Sequence, residues 1–112
     1  MGERHNSVNV PVTIRPEAAA RVTELGMQEE LQQMIEYARQ AVPELAAIEV
    51  EVAERYDMGD EPGVSIVAYS DRAFAPEDTT SWEVRRWAVE TFPPHVLQHL
   101  CILLTPGSAY AG

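Results

Sequence analysis

The chain has 112 residues, with 18 acids, eight basic residues that are all arginine, and a net charge of −10. That length suits one domain with a single core, closed without disulfide or metal staples. The acidity disfavours a nucleic-acid backbone or an anionic membrane as partner, since both are polyanions.

The first strongly patterned segment follows the polar residues 1–7, which are expected to form a disordered tail. Val8-Asn9-Val10-Pro11-Val12-Thr13-Ile14 alternates with period two and predicts a strand. Pro11 cannot donate to a ladder, which argues for an edge or a bulge. Pro16 and Glu17 then open a helix whose stripe is Ala19, Val22 and Leu25 with Ala18, and Gly26 suits its C-cap. From Gln28, the residues Leu31, Met34, Ile35, Ala38 and Val42 recur at helical spacing until Pro43. Gly26 is either a kink in one helix or a break between two.

Ile48, Val50 and Val52 alternate with Glu49, Glu51 and Ala53, a half-buried strand with an acidic outer face. Val64, Ile66 and Ala68 repeat the pattern, and residues 55–63 between them hold two glycines and a proline. An antiparallel hairpin is expected there. Thr80-x-x-Glu83 reads as a capping box, followed by Val84, Trp87, Ala88 and Thr91 at helical spacing. Pro93-Pro94 stop that helix, and Leu100 to Thr105 suits a last strand.

The order strand, one or two helices, strand, strand, helix, strand predicts an α+β domain over residues 8–106, with a short tail at 107–112. It matches a ferredoxin-like, split βαβ two-layer sandwich. Such a sandwich has a four-stranded, mainly antiparallel sheet with helices on one face. That arrangement buries the first strand inside the sheet, where Pro11 is awkward; the fallback sets this strand at an edge.

Charge is concentrated in residues 44–61. Glu44, Glu49, Glu51, Glu54, Asp57, Asp60 and Glu61 stand there against Arg55 alone. A basic protein partner would be drawn to this segment, with Tyr56, Asp57, Asp60 and Glu61 at the hairpin loop. Asp57, Asp60 and Glu61 lack the frame of a calcium loop. Tyr56 and Tyr69 can line a polar groove with these acids. Trp82, Arg85, Arg86 and Trp87 form the one cluster of arginines and indoles, residue types favoured at interface hot spots. Within it, Trp82 can stack on Arg86, and Arg86 can pair with Glu90.

His95 and His99 are spaced i, i+4 with Cys101 beyond, a weak metal-ligand pattern without a third fixed ligand. No cofactor is expected. Cys101 is the single cysteine, which excludes an internal disulfide and suggests the reducing cytoplasm. Within Leu100–Leu104 it reads as a small buried hydrophobe. There is no Gly-rich phosphate loop, no Gly-x-Ser-x-Gly, no His-Glu-x-x-His and no Cys-x-x-Cys. These absences lean away from an enzyme. The expected role is a protein-binding or regulatory module. The alternative is a dimeric, ferredoxin-like small-molecule-binding domain or enzyme, and a homodimer is compatible with either.

Overall fold

The computed structural model describes residues 10–53, 63–70 and 79–107. In chain order the elements are strand β1 (Val12–Ile14), helices α1 (Pro16–Leu25) and α2 (Gln28–Ala41), strands β2 (Ala47–Ala53) and β3 (Gly63–Tyr69), helices α3 (Thr80–Thr91) and α4 (Pro94–Leu97), and strand β4 (Leu100–Thr105). The α+β class thus holds, and so does the four-stranded sheet.

The sheet differs from the expected one in order and direction. Its order is β1-β2-β3-β4, with β1 parallel to β2, β2 antiparallel to β3, and β3 parallel to β4. The sheet is therefore mixed rather than mainly antiparallel, and β1 is an edge strand rather than an inner one. The physical reason is visible at Pro11. Its carbonyl accepts from Ile48 N–H at 3.0 Å, and lacking an N–H it has nothing to offer a second neighbour. The ferredoxin-like order, which needs β1 flanked on both sides, is replaced by this sequential one.

Gly26 separates two helices. It sits at φ 66°, in the left-handed region. Gly26 N–H bonds Thr23 O and Met27 N–H bonds Val22 O, each at 3.1 Å, the paired closure of a glycine-ended helix. At α3 the expected capping box does not form: the N-cap is Thr79, and it makes no side-chain bond to the helix backbone. Thr79 precedes the helix and its Oγ1 donates to Glu83 Oε2 at 2.9 Å, while Thr80 is buried.

One face of the sheet carries the core. Strand alternation points Ile48, Val50, Val64, Ile66, Ala68 and Leu100 to the same side. Ala18 and Val22 of α1, and Leu31, Met34, Ile35 and Ala38 of α2, pack on them. Phe92 and Val96 close the same cluster. Four expected stripe positions fall outside it: Ala19 and Thr91 are exposed, Ala88 is half-buried, and Val84 is buried but away from this cluster, whereas Phe92, just beyond the expected stripe, joins it. No helix among the described residues is long and apolar enough to cross a membrane.

Helix α3 is fixed to α2 by aromatic contact. Trp87 stacks on Tyr37 with centroids 3.9 Å apart and planes 4° from parallel, and meets Phe92 edge-on at 5.3 Å. Burial, and then the negative charge of Glu83, holds the Tyr37 phenol above the ordinary tyrosine value of 10.0. The folded state therefore favours the neutral phenol. Its contribution is fully present below pH 10.0 and is lost as pH rises through the raised value. Urea unfolding midpoints across the alkaline range are expected to fall above that pH, and to fall less in Tyr37→Phe. An equal fall in both would place the alkaline loss elsewhere.

Candidate functional site

The described residues divide the expected site residues among separate places. Tyr56, Asp57, Asp60 and Glu61 lie outside the described residues. Tyr69 donates its hydroxyl to Glu49 Oε1 at 3.1 Å, across the hairpin register from β3 to β2. Arg15 Nη2 stands 3.7 Å from Glu49 Oε2. Glu49 is therefore half-buried and tied to β3 and to the end of β1, not a free member of an acidic face. This cross-strand group joins three strands of the sheet.

Beside it, Arg15, Pro16, Glu17, Glu51 and Val52 border a cleft of about 590 Å³ at the carboxyl ends of β1 and β2. Parallel strands commonly bind ligands at such ends. Here Pro16 removes an N–H from the first helical turn, and Glu17 and Glu51 would repel an anion. Among the described residues the lining offers no hydroxyl, thiol, amine or imidazole.

His95 is exposed on α4, and His99 is half-buried in the turn before β4. Among the described residues no three of His, Cys, Asp and Glu gather as a metal-binding group. Cys101 is half-buried rather than fully so, with its sulfur 3.7 Å from Ser65 Oγ on the neighbouring strand.

The arginine–indole cluster is split by the helix that carries it. Trp87 faces inward on Tyr37, as described. Trp82 is 60% exposed, and the Arg86 guanidinium lies 5.2 Å from its ring centroid. Arg86 Nε also donates to Glu90 Oε2 at 3.2 Å, so both neighbours hold it. Arg85 is exposed and makes no ion pair or hydrogen bond among the described residues. It lies on the same side of α3 as Trp82 and Val89, at i+3 and i+7 from Trp82.

That side of α3 borders a groove of about 210 Å³. Val84, Arg85, Ala88 and Val89 form one wall, and Leu97 and residues 100–103 form the other. Val89 is 62% exposed and Leu103 is 48% exposed at its rim. Single exposed hydrophobes are ordinary, whereas two on facing walls of one groove form a patch. No protein-family model, no curated protein and no solved structure matches the chain. The geometry of this groove therefore carries the functional reading by itself.

Sequence reasoning named Trp82, Arg85 and Arg86, of which Arg85 lines the groove, and did not name Val89, Leu103 or the groove between them. A signal for Val89 was present, since it stands seven residues after Trp82 and off the buried stripe. Leu103 carried none. Four apolar residues flank or adjoin it, and periodicity does not mark which of them faces out.

Proposed function

We propose that the chain is a small protein-binding module whose contact surface is the α3–β4 patch. The observation that supports this is the groove itself, with exposed Val89 and Leu103 on its rim and, in its wall, Arg85, which no described residue pairs. Its size favours a protein side chain over a free metabolite. About 210 Å³ lies below the ~300 Å³ at which small-molecule pockets begin, and it accommodates one or two anchoring side chains. Exposed Trp82, stacked with Arg86, adds the aromatic–arginine chemistry that concentrates binding energy at interfaces. The acidic segment 44–61 then acts at longer range, repelling acidic competitors and nucleic acid.

The test is comparative affinity capture from the native host, at low and high salt. The wild-type chain is expected to retain a defined species that Val89→Asp/Leu103→Asp loses and Glu44→Gln/Glu51→Gln keeps. Loss in the second variant with retention in the first would move the contact surface to the acidic segment. Capture of nothing by the wild type would end the binding-module reading.

A further inference from the structure

We propose that the α3–β4 groove takes an extended segment of a partner protein, which adds to the outer edge of β4 as a fifth strand and sets a carboxylate against Arg85. This rests on the binding-module reading above and narrows it to one mode of recognition.

The groove runs along an edge of the sheet. Leu100 and Ile102 point to one face of β4, and Cys101 and Leu103 to the other, yet all four line the groove. Only the strand's edge is common to both faces. β4 is last in the sheet order, and among the described residues its one neighbour is β3. The carbonyls of His99 and Thr105 accept from Val64 and Ser70 at 2.7 and 2.8 Å, so the odd-numbered residues turn their backbone groups toward β3. The N–H and C=O groups of Leu100, Ile102 and Leu104 then point outward, and no backbone bond to them exists among the described residues. Such a row is a template for another strand.

The two edges of the sheet are treated differently. β1 is three residues long, follows Pro11 and is followed at once by Arg15, which are devices that discourage pairing. β4 has six residues, Leu-Cys-Ile-Leu-Leu-Thr, with neither charge nor proline. An extended segment laid beside it would bond main chain to main chain. Side chains on one side would enter against Val84, Ala88 and Leu97. Those on the other would lie beside Cys101 and Leu103.

Arg85 selects the occupant. Among the described residues it is the one charged residue lining the groove, and none of them neutralises it. A segment with alternating apolar residues and one Asp or Glu supplies the missing counter-charge. A second copy of this chain offers less. Residues 100–105 contain no carboxylate to meet Arg85, and two chains of −10 would be brought together.

The probe is a random decapeptide library displayed on phage, selected on the immobilised full chain. Enrichment of alternating apolar sequences with one Asp or Glu is expected. A synthetic copy should slow modification of Cys101, the single cysteine, by a disulfide thiol reagent. It should bind Arg85→Glu about tenfold more weakly, as for the loss of one charge-assisted hydrogen bond. Unchanged melting of that variant serves as the folding control. No enrichment, no protection of Cys101, or equal affinity for Arg85→Glu would each overturn strand addition. So would a concentration-dependent dimer, seen by light scattering and abolished by Leu103→Arg, because the groove would then belong to a second copy. Host capture that survives while the peptides fail would leave the binding-module reading standing and remove only this mode.

Discussion

Ile66→Ala is expected to lower stability by about 2–5 kcal/mol, the range for truncating a fully buried aliphatic side chain. Ile66 is fully buried near the middle of β3. Its register partners are Val50 on β2 and Ile102 on β4, so its side chain sits where both inner ladders meet the helices. Alanine there removes apolar contact and leaves a cavity between neighbours fixed by two hydrogen-bonded strands. Collapse into that space would require the ladders to shift. A domain of this size holds about 5–15 kcal/mol in total, so the variant should unfold at a much lower urea concentration. Leu103→Ala provides the contrast. Half of that side chain is already in water, and its change should stay within about 0.5 kcal/mol. Similar losses in both variants would mean that the sheet face assigned to the core is wrong.

Trp87→Ala is expected to cost about 3 kcal/mol, at the lower end for a large aromatic because Trp87 is only half-buried. The side chain links α3 to α2 through Tyr37 and packs edge-on against Phe92 at the end of its own helix. A double-mutant cycle with Tyr37→Ala should show coupling of about 0.5–1.5 kcal/mol from the stack itself. Coupling near zero would mean that the stack contributes only area. The variant also bears on function. α3 carries Trp82, Arg85 and Val89, so on the proposed binding role loosening it should weaken capture even though Trp87 lies outside the proposed contact surface.

Local chemistry made much of the fold legible. Leu31, Met34, Ile35, Ala38 and Val42 all lie in the core, as their spacing predicts. Ile48 and Val50, and Val64, Ile66 and Ala68, face it as their alternation predicts. Sheet order was not legible in the same way. Period-two alternation tells which face a side chain takes, and says nothing about which strand lies beside it. Pro11 was the one residue that spoke to order, and it correctly argued for an edge. The candidate site was half legible for a related reason. Trp82, Arg85 and Arg86 are visible by residue type, whereas the groove beside them is made by Leu97 and residues 100–103, which α3 meets only after folding.

The sequential strand order has a consequence for how the chain acquires its structure. Each strand pairs with the one just before or after it in the chain, so no strand must wait for a distant one to arrive between its neighbours. The loops to be closed are those of the hairpin and of two helical crossovers, and none encloses a whole other unit of the sheet. Loop-closure entropy of this kind limits folding rate more than final stability. Assembly can therefore advance across the sheet in the order of synthesis, with β4 the last strand to be paired.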